Sequence, residues 1–457
     1  MIEERLLEIA EKTVDYSMTK NVDQVQASTF ILDTALTRYA NSQIHQNVAT
    51  KKGGILIKVV LDKKISNTLV NSLEEQHIKK AVENVVKTAK ASRANRDFRS
   101  LPEAGRWTSL EWAFDEKTGT CSPKFRAEKV REAIDVAHSK STSVKAVAGN
   151  FFSGTIAYTV ANSLGVSAFA KISSVNMKVT VMSKRNSPEG YGTAIRYSRN
   201  VKDIQPSVLA ETAANRSLKS INPVKLSPGE YQVVMSPLAV STLVGFLGYI
   251  GFSATPYQDG QSFVKYNLSQ QVFDTKLNVK DDSTDPSTLY AFPIDGEGVP
   301  KRAVELIRNG VVSEQSICHN SFTAGKAGKK STGHALPPTS DFYSERPMPF
   351  NMIVDSGDAD LNEEIAETNY GVFVTTFHYV NPVEPTKAIL TGLTRNGTFL
   401  IEKGEISKPI MNMRFTDSML STLKDISLIG KDQEMVGYTT VPSMKVKKLR
   451  FVGVSSF

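Results

Sequence analysis

Six histidines and two cysteines are the side chains of this 457-residue sequence best suited to metal or nucleophile chemistry. The histidines are His45, His77, His138, His319, His334 and His378, and the cysteines are Cys121 and Cys318. No two histidines stand four apart and there is no His-Glu-x-x-His, so no helix face offers a paired zinc set. Cys318-His319 with His334 is a weak zinc pattern, two adjacent ligands and a distant third. A hydrolase centre drawn from His334, His378 and Cys318 is conceivable, but nothing in the local sequence supports a cysteine nucleophile. Lys330 follows Gly328-Lys329 where a phosphate-binding loop needs Ser or Thr. Asp358-Ala359-Asp360-Leu361-Asn362 opens like a calcium loop, yet Glu363 replaces its glycine and Asn369 its bidentate glutamate. These acids are expected to charge and cap the helix that follows. With no serine in Gly-x-Ser-x-Gly either, the residues alone argue against a standard catalytic centre.

Positioning elements come next, and Ser236–Phe263 is the most distinctive stretch. It follows a short apolar strand, Tyr231–Met235, and carries no charge between Glu230 and Asp259. Ser236 is a good N-cap and Pro237 a good first helical residue. Val240, Leu243, Val244, Leu247 and Ile250 continue an apolar helix that Gly245, Gly248 and Gly251 interrupt. Each glycine costs about 1 kcal/mol relative to alanine, which predicts close backbone approach on that side. The strand, the capped start and a polar exit argue for a buried core helix over a membrane span.

Helix, strands and helix occur twice before residue 220. Ile2–Val14, Leu73–Ser92, Ser122–Ser139 and Val208–Ser220 read as helices. Gln24–Leu32, Ala35–Ala40, Ile44–Thr50, Ile55–Leu61, Val144–Phe151, Ser153–Ala161, Val166–Ile172, Val175–Met182 and Gly192–Tyr197 read as strands. Asn41-Ser42, Gly53-Gly54 and Asn162-Ser163-Leu164-Gly165 read as turns. Val175, Met177, Val179 and Val181 alternate with Asn176, Lys178 and Thr180, the mark of a half-buried strand. In the second half a short helix is expected within Ile294–Arg308, a helix over Asp417–Ile426, a Gly/Lys/Ser loop over Thr323–Pro338 and a strand over Met444–Phe457. The reading is α+β: N-terminal helices and antiparallel strands (1–220), a linker (221–230), and a mostly β C-terminal domain (231–457) with a buried helix after the linker.

Apolar content of 40% and charged content of 22% are those of an ordinary globular protein. The net charge of +8 comes from cations spread along the chain; without a binding motif it argues for a solvated surface, not nucleic acid. Two cysteines in so long a chain point to a reducing compartment. The start, MIEERLLEIAEK, reads as an amphipathic helix and not a signal peptide, so a cytoplasmic location is expected.

Three second-half segments carry a resemblance: DDSTDPSTLYAFPIDGEGVPKRAVELIRNGVV (Asp281–Val312), KSTGHA (Lys330–Ala335) and TGLTRNGTFLIEKGEISKPIMNMRF (Thr391–Phe415). With Ala161–Val166, they resemble the TldD/PmbA (TldE) family, the modulators of DNA gyrase or U62-type peptidases. The resemblance implies two related subunits. TldD-type chains carry His-Glu-x-x-x-His on the helix after the linker and a cysteine ligand near the C-terminus, and bind zinc. PmbA/TldE-type chains lack these ligands and partner the first, enclosing a shared cavity. Placing Gly251-Phe252 on the family's Gly-His puts Leu247 at the first histidine, Gly248 at the glutamate and Phe252 at the second histidine. No cysteine follows Cys318. The resemblance therefore implies a PmbA/TldE-type chain with no catalytic residue or cofactor of its own. Zinc is expected in a TldD-like partner, in a heterodimer or, failing that, a homodimer, acting on peptide or unfolded protein. Tyr249, Ser262, Thr332 and His334 are the expected cavity-lining residues, while Asp295, Glu297, Glu402 and Glu405 are expected to bond turn amides. The rival from another class is a non-enzymatic homodimeric peptide-binding or regulatory protein.

Overall fold

The computed structural model describes residues 2–185, 188–339 and 346–455. Its first half is built on a six-stranded antiparallel sheet. The strands are β1 (Gln24–Ala40), β2 (Gln43–Leu61), β3 (Lys64–Val70), β4 (Val144–Asn162), β5 (Ser167–Ser183) and β6 (Gly190–Ser198), in the order β3-β2-β1-β4-β5-β6. The breaks expected inside β1, β2, β4 and β5 do not occur. Gly53-Gly54 lie within β2 opposite Ile31 and Phe30, because a glycine can sit in a ladder where a neighbouring backbone comes close. The Asn41-Ser42 turn does form, with φ of 49° and 61° suited to a two-residue hairpin.

Alternation along the strands decides what each face meets. On one face, Val25 and Ala27 pack with Ala10, Val14, Ile78 and Val82 of helices Ile2–Met18 and Glu75–Ala91. Further along the same face, Val175, Met177, Val179 and Val181 pack on helices Pro123–Ser139 and Pro206–Lys219. Ser122 caps the Pro123 helix by accepting from the Phe125 amide, as its sequence signature requires. On the opposite face, Phe30, Tyr158 and Val160 cover Ala291, Phe292 and Ile294 from the second half.

Strand β7 (Gly229–Met235) opens that half near the middle of a nine-stranded mixed sheet, counted among the described residues. It pairs antiparallel with Met444–Val454 and parallel with Tyr370–Val374. A five-stranded sheet contains Val279–Asp281, Val304–Ile307 and Met352–Val354. Helix Pro237–Leu247 is buried among residues of both sheets, packing Leu243, Val244 and Leu247 with Met352, Val354, Val372 and Val374. The fold is α+β.

Three second-half readings change. Val304–Ile307 is a strand and not a helix; Val304 and Leu306 point inward, Glu305 outward, and it pairs with Val279–Asp281. Asp417–Ile426 holds only one helical turn, Met419–Thr422, between two strands. The Thr323–Pro338 segment begins inside a short helix, Ser321–Lys326, which Asn320 caps. The final strand is Met444–Val454; residues 456–457 of the expected strand lie outside the described residues.

Candidate functional site

Ser236 stands at the N-cap and Pro237 at the first helical position. Ser236 Oγ, however, donates to the Thr375 carbonyl at 2.6 Å, tying the helix start to the sheet. After Leu247 the helix widens into a π-turn, Gly248–Phe252. The glycines permit the close approach their spacing predicts. A Cβ on Gly245, Gly248 or Gly251 would stand 2.8 Å from Tyr438, 2.6 Å from Met352 and 2.3 Å from Phe263, respectively. Leu247 and Phe252 are 2% and 1% exposed. The Phe252 ring meets Phe263 edge-on at 5.7 Å, and Phe263 meets Phe273 at 6.1 Å.

These residues do not fit a zinc ion. Leu247 and Phe252 are hydrocarbon, Gly248 has no side chain, and the space beside Gly248 holds the Met352 thioether. No lone pair of the kind zinc takes and no base to activate a water stands at any of the three positions. Among the described residues, no three His, Cys, Asp or Glu side chains gather as an ion site would need.

The four expected cavity residues lie apart. Tyr249 is half exposed at the π-turn. Ser262 is buried, donating to the Gly251 carbonyl and accepting from the Val264 amide. Thr332 accepts from the His319 amide and sits 2.9 Å from His334 Nδ1. His334 is buried, its Nε2 2.9 Å from Asp281 Oδ1. Asp281 also accepts from the Asn351 amide and lies 4.0 Å from the Lys301 ammonium. Burial, then Lys301, hold His334 below the ordinary histidine range against the pull of Asp281. Burial would raise Asp281, but Lys301, His334 and the Asn351 amide hold it low. Both ring nitrogens of His334 are thus occupied, Nδ1 by Thr332 and Nε2 by Asp281.

The hydrolase reading fails on this geometry. Burial, then Asp281, push the Cys318 thiol well above its usual range. His334 has no free nitrogen to take a proton from it, and His378 lies elsewhere, on the cleft described next. His319 is engaged with Thr323. The Asp281 and Lys301 partners of His334 could not be read from the sequence, because 53 residues separate Asp281 from it. The expected structural role of Asp295 and Glu297 is realised. Asp295 accepts from the Glu297, Val299 and Ala335 amides, and Glu297 from the Ser321 amide.

A cleft of about 830 Å³ lies where the polar end of the six-stranded sheet faces the second half. Arg38, Asn176, Lys178 and Tyr197 form one wall; Leu238, Phe377, His378 and Arg395 form the other. Asn176, Lys178 and Thr180 are the polar alternates of β5, so its half-buried pattern supplies the cleft floor. Among the described residues no aspartate or glutamate lines it. Burial, then Arg395, hold the Lys178 ammonium below its ordinary range; burial, Arg395 and Lys178 do the same to His378. Tyr379, 74% exposed with φ of 49°, sets its ring 4.2 Å from that of His378 at a tilt of 53°. A tyrosine held there is strained, and such strain clusters at binding sites.

Residues 228–453 match the family model described as the PmbA/TldA metallopeptidase C-terminal domain, and residues 117–221 that of the PmbA/TldA metallopeptidase central domain. The chain is 26% identical over 373 residues to a zinc metalloprotease TldD homolog of Saccharolobus solfataricus, 74% of this chain and 79% of that relative. It is 28% identical over 178 residues to a metalloprotease TldD homolog of Buchnera aphidicola, 38% of this chain and 35% of that relative. In fold it is similar to TldE from Thermococcus kodakarensis, with a TM-score of 0.89 and 20% identity over 97% of this chain and all of the other. The two family-model matches together cover most of the sequence, and the chain belongs to the TldD/PmbA family.

Proposed function

We propose that this chain is the metal-free, PmbA/TldE-type subunit of a peptidase, partnering a TldD-like zinc metallopeptidase and helping to enclose and hold unfolded peptide. The observation that carries the reading is the packing of the helix after the linker. The three positions that the resemblance sets on the family's ligands and base are Leu247, Gly248 and Phe252, sealed by Met352 and Phe263. With no metal-binding group gathered among the described residues, this chain would contribute surface and shape, and the partner would hold the zinc, which would supply Lewis-acid polarisation of a carbonyl and activation of water. Main-chain capture is available on this chain's side of the cleft. Among the described residues Phe377–Glu384 pairs with one neighbour, Ile389–Thr394, leaving an edge on which an extended peptide can add as a strand.

The test is co-expression with a related chain bearing His-Glu-x-x-x-His. The two are expected to co-purify, and peptide is expected to be cleaved by the pair and not by this chain alone. Cleavage by the isolated chain that a chelator abolishes would overturn the reading, as would failure of the two chains to associate.

A further inference from the structure

The cleft between the six-stranded sheet and the Phe377–Glu384 edge collects cations without balancing them. Arg38, Lys178 and Arg395 come from three different strands or turns and converge on one concavity. None of the three has an ion-pair partner among the described residues, whereas Lys79, Lys280 and Lys329 each sit beside a carboxylate. Burial first, and then the like charge of Arg395, loosen the hold of Lys178 on its proton; burial, Arg395 and Lys178 do the same at His378. The first turn of helix Pro237–Leu247 borders the same cleft through Leu238 and brings the positive end of its dipole. A bound anion would relieve this repulsion.

We infer that the cleft is an anion subsite for peptide carboxylates, seating a free C-terminus or an acidic side chain between Lys178 and Arg395. A volume of about 830 Å³ suits a short chain end and not a folded domain. Asn176 and Tyr197 beside the cations are neutral groups of the kind a peptide main chain bonds, and the open strand edge stands along one wall. The inference rests on the peptide-holding role proposed above and names the class of peptide that role favours.

The test uses the isolated full-length chain, without partner or zinc, in calorimetric titration. Three short Ala/Ser peptides are compared: one ending in a free acid, one ending in an amide, and the amide carrying one glutamate. The free acid is expected to bind at least about tenfold more tightly than the amide, and more weakly as salt rises. The glutamate-bearing amide tells a side-chain source from a terminal one: recovery of binding assigns the site to either carboxylate, no recovery to the C-terminus. Lys178→Gln with Arg395→Gln should lower free-acid affinity about tenfold, leave amide binding unchanged and keep the melting temperature, since both side chains line an open cleft and neither has an ion-pair partner among the described residues to lose. Equal binding of acid and amide, or an unaffected double variant, would overturn the inference. So would tighter binding of inorganic phosphate or single-stranded DNA than of the peptide acid. Because no partner is present, these results leave the subunit assignment to its own co-purification test.

Discussion

Placing a glutamate at position 248 would require more than removing a glycine. A methyl there meets the Sδ and Cε ends of Met352, which can swing aside, whereas a methyl on Gly251 meets the Phe263 ring, held between Phe252 and Phe273. We predict that Gly248→Ala changes stability by less than about 1 kcal/mol, helix propensity offsetting the small shift. Gly251→Ala should destabilise by roughly 1–3 kcal/mol, because a ring cannot yield as a thioether does. Gly248→Glu should be the most damaging of the three, since it buries an unpartnered carboxylate. Urea unfolding of the three variants checks the order, and equal effects at 248 and 251 would refute it. At this scale the sequence is informative: ligand absence and glycine spacing are visible as residue types. The partners of His334 are not, because Asp281 and Lys301 reach it only through the fold of the five-stranded sheet and its loops.

Elements were legible where capping chemistry marks them. Ser122-Pro123 starts a helix, and Asp360 caps Leu361–Ala366 by accepting from the Asn362 and Glu363 amides. They were illegible where a four-residue strand has too little length to show its period, as at Val304–Ile307. The Leu361–Ala366 helix also holds an unusual group. Glu364 is fully buried, and burial lifts its carboxyl to about 8, softened by Ser443 and Lys445. The folded chain therefore holds this proton more tightly than the unfolded chain. Its stabilising contribution is complete below the ordinary carboxylate range and is lost as pH rises through about 8. Glu364→Gln, uncharged at every pH, should gain on the parent between pH 5 and pH 8.5, by an amount on the order of a few kcal/mol at the upper end. Denaturant midpoints at the two pH values measure this, and a constant difference between the two proteins would refute it.

For the molecule as a whole, the two halves meet on one face of the six-stranded sheet. There the Tyr158 hydroxyl donates to the Ile294 carbonyl at 2.6 Å, and the Lys58 ammonium lies 3.8 Å from Glu297. The polar alternates of β5 were visible in the sequence, but what faces them depends on the strand order and on how the halves pack. The cleft therefore emerges only in three dimensions. For the molecule as a whole we propose that Leu247, Gly248 and Phe252 hold no zinc and that the partner does. Native mass spectrometry of the purified complex, with the two chains separated in the gas phase under conditions that keep zinc bound, tests it most directly. The expected result is zinc on the chain bearing His-Glu-x-x-x-His and none on this one; one zinc per copy of this chain would refute the proposal.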